Sequence, residues 1–184
     1  MTASETNPET EPGGDRHRRR LTISVTGCTE ELAALIRRAA RRALQSQDRR
    51  RGRLEVAVVP DAEMRRLHRR WLENENTTDV LSFDLREDPH DNLVDGQLIV
   101  CRSVARRRAR SRKADWRGEL LLYVVHGCLH LCGWNDQDED EATEMHRQED
   151  KLLAELGWGA VFAPRADRAV KTGPRGGTAS ERKP

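Results

Sequence analysis

His126-Gly127-Cys128-Leu129-His130-Leu131-Cys132-Gly133-Trp134-Asn135-Asp136 is the stretch around which the rest of the chain is read. Two histidines four residues apart in an apolar, helix-forming run are turned by about 40° from one another, so both imidazoles leave one helix face. Gly133 stands where that helix stops, and Asp136 follows six residues after His130 with a carboxylate. Two histidines on a helix and a carboxylate from the next turn make a three-ligand metal site whose fourth position stays open to water. A core helix with two hydrogen-bonded histidines is the plainer alternative, but packing alone has no need of the i, i+4 pair. The residue after the first histidine is glycine, which cannot move a proton, so peptidase chemistry of the HExxH type is disfavoured.

Around this stretch the elements alternate. Leu21, Ile23 and Val25 alternate as in a half-buried strand, and Thr29, Glu30 and Glu31 open a helix whose apolar stripe is Leu32, Leu35, Ile36, Ala39 and Ala43. Arg53 to Val59 is a second strand closed by Pro60, and Asp61 caps a helix carrying Met64, Leu67 and Trp71. Thr78 to Leu85 reads as a third strand, Arg86 to Gly96 as a polar loop, and Gln97 to Cys101 as a fourth strand. A basic helix over Ser103 to Lys113 precedes the ligand helix, which starts at Asp115 or Trp116 and runs to Cys132. Asp138 caps the last helix, which buries Met145, Leu152, Leu153 and Leu156 and ends at Gly157. These elements imply a single small α+β domain: a mixed sheet of about four strands with helices packed on it and the metal-ligand helix in the C-terminal half.

At 184 residues, with 36% hydrophobic content, the chain supports one domain with a core. Residues 1–20 and 163–184 lack hydrophobic periodicity and are expected to be disordered tails, leaving 21–162 as the folded domain. No run approaches the roughly 20 apolar residues of a membrane span, and the first residues lack the apolar core of a signal peptide, so a cytoplasmic location is expected. Cys28, Cys101, Cys128 and Cys132 lack redox or zinc-ribbon spacing and read as small reduced core residues. The net charge is only +2, from 33 basic and 31 acidic side chains, so any nucleic-acid affinity must come from segregation of charge. Arginine runs at 37–42, 65–70 and 106–112 against an acidic last helix supply such segregation, and an aromatic content of 4% points to backbone tracking rather than base stacking.

His126, Gly127, Leu129, His130, Leu131, Gly133 and Trp134 resemble the signature of the YbeY family of bacterial metal-dependent endoribonucleases, and Thr78 to Phe83 resembles that family's TDVLSF segment. The likeness covers about residues 54 to 158. It implies a zincin-like fold and a metal-activated water that hydrolyses single-stranded RNA. The substrate class it implies is rRNA on the small ribosomal subunit, in 16S rRNA 3′-end maturation and ribosome quality control. The metal ligands are then His126, His130 and Asp136, with Zn2+ the expected ion, one per chain, and other transition metals compatible with two histidines and a carboxylate. By the same likeness Thr78 and Ser82 border the active cleft as substrate contacts.

Two departures stand out. The family closes its motif with Asp-His where this chain has Asn135-Asp136, exchanging an imidazole for a carboxylate. Leu72 stands where the family carries an arginine, and Arg69 or Arg70 can supply that charge from the preceding turn. The rival readings are a ribosome-associated RNA-binding module with a structural metal, and a metal hydrolase with a non-RNA substrate. Deleting residues 1–18 and 166–184 is expected to change the melting temperature little, since neither tail carries apolar surface to pack; calorimetry checks this, and a loss of several degrees contradicts it.

Overall fold

The computed structural model describes residues 20–72, 77–88 and 92–159, apart from the side chains of His68, Trp71 and Leu72. The expected tails and the tip of the polar loop lie outside the described residues. The strands are β1 (Thr22–Thr26), β2 (Gly52–Val59), β3 (Val80–Asp84) and β4 (Val94–Cys101), and the helices are α1 (Glu30–Ser46), α2 (Asp61–Leu72), α3 (Arg102–Arg112), α4 (Trp116–Leu131) and α5 (Glu139–Glu155).

One mixed sheet forms in the order β1-β2-β4-β3, with β1, β2 and β4 parallel and β3 antiparallel to β4. Edge strand β1 buries Ile23 and exposes Thr22, Ser24 and Thr26, the alternation of a strand with one wet face. Central β4 is paired on both sides, and Leu98, Val100 and Cys101 are fully enclosed. It starts at Val94, three residues before the Gln97 expected from sequence. The Val94-Asp95-Gly96 stretch looks like a turn, but pairing of Gly52 with Val94 and of Asp84 with Gly96 draws it into the ladder. The sequence pattern carries β3 as far as Leu85; this residue donates one more backbone bond to Asp95, yet its side chain is 51% exposed and lies past the strand.

Helix starts follow local chemistry. The Asp115 carboxylate accepts from the backbone N–H of Arg117, and that of Asp138 accepts from those of Asp140 and Glu141, closing the first turns of α4 and α5. Asp61 acts differently from expectation. The Pro60 carbonyl takes the first helical bond, from Met64, so Asp61 is already inside α2 and its carboxylate instead pairs with Arg107 and Arg65 at 2.9 and 3.2 Å.

Helix α4 is the centre of the molecule. From Gly118 to Val125 every residue is buried, because α1, α3 and α5 pack around it and β3 and β4 lie beneath. Two acids are enclosed with it. Glu119 holds Arg112 at 3.0 Å and accepts from the Tyr123 hydroxyl at 3.2 Å; Glu149 belongs to the site described below. All four cysteines are free thiols, as expected, but only Cys101 and Cys128 are buried, Cys28 and Cys132 being half-buried.

Gly127 marks the closest approach of α4 to the sheet. A Cβ there would stand 2.8 Å from a Leu98 methyl and 3.0 Å from the Ser82 hydroxyl. Position 127 thus points at the sheet and away from the histidines, which is why a general base cannot follow His126 here. Gly127→Val is expected to lose about 1–3 kcal/mol through overpacking, read as a lower urea midpoint; an unchanged midpoint would show that α4 can lift off the sheet at no cost.

Candidate metal centre

His126 and His130 leave the one face of α4 that reaches solvent, with imidazole centroids 4.4 Å apart and ring planes at 87°. Their Nε2 atoms face each other at 3.0 Å. The outer nitrogens decide the tautomers. His130 Nδ1 lies 2.9 Å from the Trp134 backbone carbonyl, which only accepts, so this nitrogen carries the proton. His126 Nδ1 lies 2.7 Å from Glu149 Oε1 and likewise donates. With both rings neutral, two lone pairs meet at Nε2 and a cation between them satisfies both; a proton on His126 Nε2 fills the same gap as an N–H···N hydrogen bond.

Asp136 completes the group. After α4 the chain turns at Gly133, whose φ of 92° lies in the left-handed region where a side chain is strained, and comes back to the helix end. The Trp134 indole donates to Gln47, just past the end of α1, at 3.0 Å. The Asn135 side chain accepts from the backbone N–H of Asp136 at 3.0 Å and donates to Glu141 at 2.6 Å. Asp136 is thereby set with its carboxylate oxygens 3.8 Å from His126 Nε2 and 3.7 Å from His130 Nε2. These gaps are too long for hydrogen bonds. A tetrahedral ion with ligands about 2.1 Å from its centre has ligand-to-ligand edges of about 3.4 Å, and 3.0, 3.7 and 3.8 Å bracket that edge. The three residues can hold a metal ion, all three candidate ligand atoms lying within 4.8 Å of one another.

Sequence patterning alone does not single out Glu149. It is 0% exposed, and its second oxygen, Oε2, has no hydrogen-bond partner among the described residues. A buried carboxylate on one oxygen's hydrogen bond is costly, and here it orients a candidate metal ligand. Burial opposes charge on His126; the hydrogen bond and charge of Glu149, then the charges of Asp136 and Asp79, outweigh it and hold the imidazole above its ordinary pKa. The one available signal lies in α5, where the buried stripe Met145, Glu149, Leu152 and Leu153 includes an acid.

The remaining candidate residues are more scattered. Ser82 lies against α4 at Gly127, next to His126. The Thr78 hydroxyl donates to Asp79 at 3.2 Å, and the Asp79 carboxylate accepts from the Val80 N–H and pairs with Arg108 at 3.5 Å, so Asp79 shapes the start of β3. Arg69 and Arg70 are exposed in the last turn of α2, a helix packed on β4 and α3. The side chain of Leu72 lies outside the described residues. Many arginines of the three runs are tied to acids, among them Arg37 to Glu30, Arg42 to Glu155 and Arg66 to Glu63. His146 is half-buried and stands outside the ligand group.

Fold and site together define a small α+β domain with a four-strand mixed sheet, five helices and a two-histidine, one-carboxylate group at the end of its central helix. The Endoribonuclease YbeY family model matches residues 19–157, and the chain belongs to that family. An Endoribonuclease YbeY of Pseudomonas fluorescens is 40% identical over 108 residues, covering 56% of this chain and 70% of the relative. Another, of Acidothermus cellulolyticus, is 35% identical over 128 residues, covering 64% and 73%. The solution structure of TM1509 from Thermotoga maritima superposes with a TM-score of 0.54 at 25% identity over 74% of this chain and 88% of that one.

Glu149→Leu is expected to leave the fold intact and weaken metal binding about 10- to 100-fold, measured by competition with a chelator. His126→Ala should abolish binding. Equal affinity in wild type and Glu149→Leu would remove the orienting role.

Proposed function

We propose that this protein is a metal-dependent endoribonuclease that hydrolyses phosphodiesters of single-stranded RNA, acting in the cytoplasm on rRNA of the small ribosomal subunit. Maturation of the 16S rRNA 3′ end and ribosome quality control are its proposed settings. The observation that carries the reading is the facing pair of imidazole nitrogens, whose rings are engaged on the far side by Glu149 and the Trp134 carbonyl, in a chain of the Endoribonuclease YbeY family. Residues 21–162 are the proposed catalytic domain, zincin-like in carrying two ligands on one helix, with 1–20 and 163–184 as flanking tails.

His126, His130 and Asp136 are the proposed ligands, and Zn2+, one per chain, is the ion that best suits them. Two histidines and a carboxylate also accept Fe(II), so the donor set alone favours zinc without excluding its neighbours. A bound ion supplies Lewis acidity toward water and toward a phosphoryl oxygen. The protein does the rest by holding. Glu149 and the Trp134 carbonyl keep the imidazole protons on Nδ1 and so keep Nε2 basic. Asp136, exposed on the turn, would complete the donor set from the solvent side. Ser82 and Thr78 are the proposed hydroxyl donors to RNA phosphate, and Arg69 or Arg70 the proposed cation in place of the arginine missing at Leu72. No helix among the described residues is long and apolar enough to cross a membrane.

The purified full chain is expected to contain about one transition metal per molecule and to cut single-stranded RNA in preference to duplex. His130→Ala should lose at least about 10²-fold in rate while still folding. Cleavage that survives in His130→Ala from a nuclease-free preparation would sink the proposal; metal and RNA bound with no cleavage by the wild type would leave a binding module.

A further inference from the structure

The N-terminal end of α4, far from the histidines, borders a cleft of about 310 Å³ between the β1–α1 turn, the start of α3 and the start of α4. Its apolar side is made by Leu32, Leu35 and Trp116, and its basic side by Arg102, Arg106 and Arg117. The arginines differ in what they have left to offer. Arg117 is bound side-on to Asp115 by hydrogen bonds of 2.9 and 2.5 Å and is spent. The Arg106 guanidinium stacks over the Trp116 ring at 4.7 Å, which uses its face and leaves its in-plane N–H donors oriented and open. Arg102 is half-buried beside Cys28, and neither it nor Arg106 faces a carboxylate ion-pair partner among the described residues. Elsewhere on the same helix Arg107, Arg108 and Arg112 face Asp61, Asp79 and Glu119. Helix α3 therefore pairs three of its arginines with acids and leaves the two at this cleft without an ion pair among the described residues, with Glu31 on the rim.

Two open guanidiniums against one carboxylate leave the cleft about one positive charge, which suits a phosphodiester better than a terminal phosphate dianion. The apolar side can accept an adjoining base. We propose that this cleft is a second RNA-binding site, holding a phosphodiester and a neighbouring base of the same single strand that is cut at the metal centre. The proposal rests on the RNA-cleaving reading above. Ten residues separate Trp116 from His126 and fourteen separate it from His130, about 15 to 21 Å along the helix at 1.5 Å per residue. Because α4 is enclosed between these points the strand has to pass around it, so at least roughly four to six nucleotides at about 3.4 Å each separate the two sites. A trinucleotide then reaches one site only, and a 12-mer reaches both.

The test uses the full chain with its metal and three variants: Arg106→Gln, Arg102→Gln combined with Arg106→Gln, and Arg110→Gln as an exposed control on the same helix outside the cleft. Melting temperatures and metal content are compared first, and Arg106→Gln, whose side chain is exposed, stands in if the double variant is unstable. For a single-stranded 12-mer the double variant is expected to show KM raised about ten-fold or more with kcat unchanged. Trinucleotide cleavage should not change, and Arg110→Gln should match wild type on both. By direct titration on the His130→Ala background, the salt slope of 12-mer binding should flatten by about 0.7 for each RNA phosphate that the variant no longer neutralises. An unchanged 12-mer affinity in a folded double variant overturns the second site, as does an equal loss in Arg110→Gln, which would indicate diffuse charge. Competition by poly-glutamate as strong as that by RNA overturns it in favour of an acidic protein segment. If wild type cleaves nothing, the nuclease reading fails separately, and the titration still decides the cleft.

Discussion

Two imidazole nitrogens face each other 3.0 Å apart, each ring engaged on its far side by an oxygen acceptor. Much else in the structure serves to keep them there. The carbonyl that fixes His130 is free to do so because Gly133 ends α4 with a left-handed turn and the Trp134 indole anchors that turn to the end of α1. The carboxylate that fixes His126 comes from α5, whose start is secured by Asp138 over two backbone amides. Three helices and one turn thus converge on two nitrogen atoms, and α4 itself is seated on the sheet through a glycine that lets Leu98 and Ser82 come close.

The burial of Glu149 is intelligible only in that setting. A carboxylate with 0% exposure and one unpartnered oxygen among the described residues is a poor contributor to stability by itself. With a divalent ion at the histidines, its carboxylate and that of Asp136 would balance the charge and offset the cost of burial. Acid beneath and acid at the rim also explain why His126 holds a proton more tightly than an ordinary imidazole.

The facing histidine pair and its helix are legible in the sequence because i, i+4 spacing and a glycine stop are local signals, and the capping aspartates at 115 and 138 are equally local. The sheet is legible as a set of strands but not in its limits: Val94 to Gly96 carries turn residues, and only partners on both sides make it strand. Asp61 misleads because an acid after proline resembles a cap, whereas its partner is an arginine 46 positions away. Glu149 hides among the many acids of α5 although it sits on the stripe that also holds Met145 and Leu152. The Trp134 carbonyl has no side-chain signature at all. Which arginines of a run find carboxylates is decided by packing, so the cleft at Arg102 and Arg106 cannot be read from the run itself.

Helix α4 is enclosed on all sides from Gly118 to Val125. Its amides in that stretch have no local route to solvent and open to exchange only when the whole domain opens. The two histidines follow directly on that enclosed stretch, so the helix that carries them is held by packing on every side just before them. Asp136 is the exception, being exposed on a turn, so it is the member of the group with room to move as ligands come and go. An ion bound here would meet two donors fixed by the helix and a third that the turn lets adjust.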